Sequence, residues 1–353
     1  MTTTNPLIGF GPISFGIIGC GWFGRVHVER LSEIPGVNVA AVCDPDEASA
    51  HRLAGLVPAH LRPAGGEVAV YTDTAELLRH AGLNAVSINS PNPWHVEQLL
   101  AALEQGLHVL CEKPLTLIPA DVDRVVAATR QAERVVAIAY QSRYRRDARL
   151  LRRALQSGRW GRVTSVNVFA SEDWVRPNVG TWRHDPERCP AGYFGDANSH
   201  QIDVTLWLTG LEPIDVKATM ETRGTPVPMA TWGEARLRAA AQADGTVADV
   251  PFTFTFVGDA HCWREEITIV TERADFALRD TQLFWSDGTT RLVPFTEADL
   301  GIDNPIESET PDQAFVAALR GGDPVASPPE TVWPVLRFTL AALASAGRPL
   351  HTS

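Results

Sequence analysis

The chain has 353 residues, 44% of them hydrophobic and 21% charged, which is enough for two domains with apolar cores. A formal net charge of −11 without a basic stripe excludes nucleic acid and an anionic membrane surface as expected partners. No apolar run is long enough to span a membrane, and the opening MTTTNPLIGFGPISF has neither a basic start nor a clean apolar stretch, so no secretory leader is expected.

In chain order, ISFGIIG is a β-branched run ending at glycine, and VNVAAVCD ends at Asp44. The irregular HLRPAGGEVAV holds one short strand, NAVSINS ends at Ser90, HVLCEKP at Pro114, and RVVAIAYQSRY near Tyr144. Helical patterns separate them: WFGRVHVERLSEI, PDEASAHRLAGL, PWHVEQLLAALEQG and PADVDRVVAATRQA. Continuous apolar strands alternating with helices predict an α/β fold, a doubly wound parallel sheet covered on both faces. A helix from Ala148 to Ser157 follows, and after Gly161 the pattern changes. RVTSVNVFASED, IDVKATMET, WGEARLRAAAQADG, DVPFTFTFVG, REEITIVTE and RADFALRD predict a mainly antiparallel sheet. The helix NSHQIDVTLWLTG interrupts it, and TPDQAFVAALRGG and PPETVWPVLRFTLAALASAG close the chain. The expected domains are residues 1–145 and 146–353. The five cysteines form no CxxC pair, so reduced thiols and a cytoplasmic location are expected.

Gly19, Gly21 and Gly24 fit G-x-G-x-x-G in the first strand–helix turn, where such a loop lets backbone approach a pyrophosphate at a helix N-terminus. Asp44 ends the second strand, twenty residues after Gly24, where a carboxylate can accept hydrogen bonds from an adenosine ribose. A 2′-phosphate would meet a like charge there, so NAD fits better than NADP.

Ligands of such sheets bind beyond the carboxyl ends of the strands. Ser90, Asn92 and His95 occupy that edge after the fourth strand, although Asn92 and Pro93 also suit the N-cap and first turn of a helix. Glu112, Lys113 and Pro114 occupy it after the fifth, with the lysine held before a residue of fixed φ. In GDANSHQIDVTLW, spacings of four and three place Asp196, His200 and Asp203 on one helical stripe. That stripe suits three readings: a surface acid pair with a satisfied histidine, a zinc or manganese site, or a histidine base oriented by an acid.

Taken together, these segments resemble the glucose-fructose oxidoreductase / inositol dehydrogenase / rhizopine catabolism (Gfo/Idh/MocA) family over nearly the whole chain. GIIGCGWFG, VCDPD, SPNPWH, CEKPL, YQSRYRRDARLLRRALQSGRWGRV and GYFGDANSHQIDVTLWLTG stand in the family's order, and EKP with a later D-x-x-x-H is the specific part. The resemblance implies a Rossmann domain that binds NAD through Gly19, Gly21, Trp22, Phe23, Gly24, Asp44, Ser90, Asn92, His95, Glu112 and Lys113. It implies an α+β second domain whose open sheet builds a homo-oligomer, a dimer or tetramer. Lys113 would contact the reacting oxygen, His200 would accept the proton with Asp196 as its partner, and no metal would take part. Tyr144, Trp182 and Arg183 would add to the substrate site. The Lys113–Pro114 bond becomes a candidate for cis. The implied substrate is a secondary alcohol of a sugar, cyclitol or related polyol. Two departures stand out: Asn198 replaces the glycine of D-x-G-x-H, and the glycine cluster before Asp196 is thinned to PAGYFG. The rival readings are a redox-neutral NAD enzyme that cleaves glycosides or epimerises through transient oxidation, and a non-catalytic NAD-binding regulatory protein. A metal hydrolase is a further, weaker rival.

Overall fold

The structure is a computed structural model that describes residues 11–64, 66–239, 248–288 and 291–350. Packing divides it into two compact units, one with the residues up to Tyr140 and Glu309–Val332, the other with Gln141–Ser308 and the residues from Trp333 onward.

The first unit is built on six strands, β1 (Ile13–Ile18), β2 (Val37–Cys43), β3 (Ala69–Tyr71), β4 (Ala85–Ile88), β5 (His108–Cys111) and β6 (Val136–Ile138). They form one parallel sheet in the order β3-β2-β1-β4-β5-β6. Its helices are α1 (Trp22–Ser32), α2 (Glu47–Leu56), α3 (Thr74–Leu78), α4 (His95–Glu104) and α5 (Pro119–Ala132). β4 and β5 are buried at every residue, as strands covered on both faces must be. Strand order reverses between β1 and β4, and this makes the crevice where open α/β sheets bind ligands. The helix Pro311–Leu319 returns to this unit and packs on α1; Phe315, Val316 and Leu319 join Phe15, Val28 and Leu31 in the core.

The second unit holds β7 (Val163–Asp173), β8 (Glu212–Glu221), β9 (Ala230–Arg238), β10 (Asp249–Val257), β11 (Asp259–Thr271), β12 (Asp275–Arg279), β13 (Gln282–Ser286) and β14 (Val293–Pro294). Their order is β14-β13-β12-β11-β7-β10-β9-β8, with only β7 and β10 parallel. Strict alternation along β10 turns Val250, Phe252, Phe254 and Phe256 inward, and Phe194 and Phe338 pack on those rings. One covered face is why these strands alternate while those of the first unit do not.

Three details differ from the sequence reading. The sheet continues past Arg279 into β13 through a two-residue turn at Asp280 and Thr281, whose φ values are 43° and 71°. Asn92 does not cap a helix: Asn92–Trp94 is a 3-10 turn preceded by Pro91, and α4 begins at His95. The tail of WGEARLRAAAQADG from residue 240 lies outside the described residues.

Candidate active site

β1 ends at Ile18 and the chain turns at Gly19 with φ +87°. A Cβ on Gly19 would lie 2.6 Å from the backbone of Asn89 and Ser90, and one on Gly24 would lie 2.2 Å from the Gly19 carbonyl oxygen. Glycine is therefore dictated at both places by close approach. Gly21 is the N-cap of α1 without a side-chain cap, and open space surrounds it. This end of α1 presents backbone N–H groups suited to a phosphate. Trp22 stands 73% exposed beside it, and Phe23 is half-buried. Asp44 is pinned next to this turn: Oδ2 accepts the Cys20 N–H at 2.8 Å and Oδ1 the Asp46 N–H at 2.9 Å. An open helix end with a fixed carboxylate beside it fits a dinucleotide with an unmodified ribose.

At the end of β4, the Ser90 hydroxyl donates to Gln98 Oε1 at 2.6 Å, and Asn92 is half-buried. His95 is fully buried, with Nδ1 2.9 Å from the Pro114 carbonyl oxygen and Nε2 2.8 Å from that of Ser90. Burial holds this imidazole below its usual range, while its hydrogen bonds to the Ser90 and Pro114 carbonyls oppose that shift. Both its nitrogens face backbone, so His95 ties two loops together and leaves no ring nitrogen for the ligand contact expected from the sequence.

At the end of β5, Glu112 and Lys113 are 7% and 6% exposed, and the Lys113–Pro114 peptide is cis. The Lys113 N–H donates to Glu112 Oε2 at 3.1 Å. Glu112 Oε1 lies 3.2 Å from His27 Nε2, and His27 Nδ1 lies 2.7 Å from Asp312 Oδ1. Glu112 thus directs its carboxylate toward His27 and the Lys113 backbone, a direction the sequence did not reveal. Neither His27 nor Asp312 was singled out from the sequence. A signal for His27 existed: Gly24, His27, Val28 and Leu31 form the buried stripe of α1, with one polar residue on it.

In the second unit, Asp196 ends the short helix Gly192–Asp196 and His200 lies in the next helix, Ser199–Thr209. The continuous stripe expected from the spacing is broken at Ala197 and Asn198. The Tyr193 carbonyl takes the N–H groups of both Ala197 and Asn198 and also the Asn198 side-chain amide. Asp196 Oδ2 accepts from Arg183 Nε at 2.8 Å and from Trp174 Nε1 at 3.3 Å. Arg183, expected to meet substrate, is thus the charge partner of Asp196, with its guanidinium 4.5 Å from the Trp182 ring centre. Asp203 is held by Arg143, Nε to Oδ2 at 2.8 Å and Nη2 to Oδ1 at 2.5 Å. Burial pushes its carboxyl up, against the pull of that guanidinium. The metal reading needed Asp203 as a ligand, and among the described residues no group of three His, Cys, Asp or Glu side chains is placed to hold a metal ion. His200 is half-buried, and Tyr144 is buried in the turn Gln141–Tyr144.

Residues 13–140 match the family described as an oxidoreductase family with an NAD-binding Rossmann fold, and residues 148–276 match the GFO/IDH/MocA C-terminal domain. The chain belongs to the Gfo/Idh/MocA family of oxidoreductases, and its first unit is that family's NAD-binding domain. Inositol 2-dehydrogenase of Streptomyces avermitilis is 35% identical over 203 residues, 57% of this chain and 54% of that protein. The match therefore spans about half the length of that relative. The rhizopine catabolism protein MocA of Rhizobium meliloti is 26% identical over 312 residues, 88% of this chain and 87% of that protein. The WlbA dehydrogenase from Chromobacterium violaceum, solved in complex with NADH and UDP-GlcNAcA, shares the fold with a TM-score of 0.78. Its identity is 22%, with 98% of this chain and 97% of that one covered.

Proposed function

We propose that the protein is an NAD-dependent dehydrogenase acting on a secondary alcohol, or the corresponding ketone, of a sugar, cyclitol or related polyol. The observation that carries this reading is Lys113, a side chain only 6% exposed at the carboxyl end of β5, in the same unit as the open glycine turn and the pinned Asp44. The relatives named inositol 2-dehydrogenase and MocA support the substrate class.

NAD, when bound, supplies the hydride acceptor. The Gly19–Gly24 turn and Asp44 hold it, and the Asp44 carboxylate disfavours a 2′-phosphate. The Lys113 ammonium holds the reacting oxygen and stabilises negative charge on it as the hydroxyl proton leaves. His200 takes that proton, as an imidazole can near neutral pH. Asp196 stabilises the resulting imidazolium, and Arg183 fixes the Asp196 carboxylate. Tyr144 and Trp182 belong to the substrate side. In this proposal the first unit, which takes back Glu309–Val332 from the expected second domain, binds cofactor, and the second unit binds substrate and makes a cytoplasmic homo-oligomer through its sheet. No helix among the described residues is long and apolar enough to cross a membrane.

The test is a panel of cyclitols and sugars assayed with NAD for NADH formation. Substrate-dependent NADH formation is expected. Glycoside cleavage or epimerisation without NADH would favour the redox-neutral alternative, and NAD binding without turnover of any panel member the regulatory one.

A further inference from the structure

Asp312 lies in the first turn of the helix Pro311–Leu319, whose start is fixed by a reciprocal cap between Thr310 and Gln313. A carboxylate is favoured there by the helix dipole, yet this one is completely buried. It meets His27, also completely buried, 285 residues earlier in the chain. His27 meets Glu112, and Glu112 accepts the backbone N–H of Lys113. Arg30, one turn along α1 from His27, places Nη1 3.6 Å from the other Asp312 oxygen. The result is a line of contacts, Arg30–Asp312–His27–Glu112–Lys113, inside the first unit.

Ionised carboxylates only accept hydrogen bonds, so an imidazole between two of them must donate from both nitrogens and carry a proton on each. Removing one member would leave an uncompensated charge in the core. A cluster that only packed a returning helix could be apolar. This one instead ends on the backbone of the lysine at the reacting edge.

We propose that Asp312, His27 and Glu112 form a buried ionic brace that positions Lys113, making His27 and Asp312 positioning residues drawn from opposite ends of the chain. The proposal rests on the role given to Lys113 above. The charges facing His27 fit it: Asp312 from the returning helix, Glu112 from the end of β5, and Arg30 from α1 itself. Glu112 also acts on its neighbours Cys111 and His95, raising the thiol and opposing the downward shift of the ring. Burial alone would push the His27 imidazole down; Asp312 above all, with Glu112, holds it up to about 9. The brace therefore persists through neutral pH and loosens in alkali.

The experiment combines histidine-ring NMR with kinetics on the native protein and on Asp312→Asn, Glu112→Gln and Lys113→Ala. In the native protein His27 should carry protons on both nitrogens at neutral pH and titrate near 9. Asp312→Asn should lower that titration and reduce kcat by about tenfold to a hundredfold, with NAD affinity changed less than about threefold. The alkaline limb of its kcat profile should move toward neutrality with the NMR titration. If Asp312→Asn does not fold, Glu112→Gln, which keeps the shape and removes one charge, is read in the same way. A neutral His27 at pH 7 overturns the brace. So does an unchanged kcat and pH profile in a folded Asp312→Asn protein while Lys113→Ala is slow, because a purely structural cluster would alter stability alone. A Lys113→Ala protein as fast as the native one instead overturns the proposed function, whatever the state of His27.

Discussion

His27 and His95 both grip the Glu112–Pro114 turn, and both are completely buried with both ring nitrogens engaged. Their pKa shifts run in opposite directions. His95 sits between two carbonyl oxygens, and burial pushes its pKa down. His27 sits between two carboxylates; burial pulls the same way, but Asp312 and Glu112 reverse it and raise the pKa to about 9. The charge of the partner, and not depth, decides which way the pKa of a core histidine moves. The turn at the end of β5 is held by one histidine that meets backbone carbonyls and by another that meets carboxylates.

The clamps matter for catalysis only if what they hold is reactive. Lys113→Ala should lower kcat by about 10²–10⁴-fold, measured by steady-state kinetics on a substrate from the panel. His200→Ala should cost a similar factor, while NAD affinity by calorimetry stays nearly unchanged. Retention of full rate by both variants would remove the reason for the clamps.

The two clamps themselves should separate in stability. His27→Ala leaves two buried carboxylates facing each other and should cost about 3–5 kcal/mol. His95→Ala deprives two backbone carbonyls of their hydrogen-bond partner and should cost about 1–3 kcal/mol, both beyond what packing loss alone removes. Urea unfolding checks the order; an equal cost for the two would erase the distinction between a clamp of carboxylates and one of backbone carbonyls.

Their pH dependences should have opposite signs. With a folded pKa near 9 against about 6.5 unfolded, His27 binds more protons in the native state. Its contribution is complete below pH about 6.5 and lost as pH rises through about 9. His95, whose folded pKa is depressed, contributes stability that is present above about 6.5 and lost as pH falls through its folded value. Unfolding free energies across pH should therefore lose their alkaline decline in a folded His27 variant and part of their acid decline in a folded His95 variant. The smallest effect is expected at Asp44, which neither histidine touches. Asp44→Ala should narrow the preference for NAD over NADP, read by titrating both dinucleotides; tighter NADP binding by the native chain would contradict the role of this carboxylate.

What could be read from the sequence follows the range of the interactions. The glycine turn, Asp44 and the Lys113 edge are encoded in contiguous strand–turn–helix segments, so local pattern finds them. Asp312 is 285 residues from His27, and nothing local announces their meeting. The Asp196–His200–Asp203 stripe is not continuous because spacing assumes an unbroken helix, whereas the Tyr193 carbonyl gathers three donors and parts the chain at Ala197 and Asn198. Asp196 and Asp203 take separate arginine partners, Arg183 and Arg143, which lie 13 and 60 residues away. β13 lacks a local signal because its hairpin turns on Asp280 and Thr281 at positive φ without the glycine that usually marks such a turn.

The most direct measurement is label transfer from a panel substrate carrying deuterium at its carbinol carbon, followed by mass spectrometry of cofactor and product in the native protein and in Lys113→Ala. Deuterium should appear in released NADH with native protein and fall by about 10²–10⁴-fold in rate with Lys113→Ala. Deuterium retained in the carbohydrate product with no NADH released, or an equal rate of transfer in both proteins, would contradict a Lys113-dependent dehydrogenase.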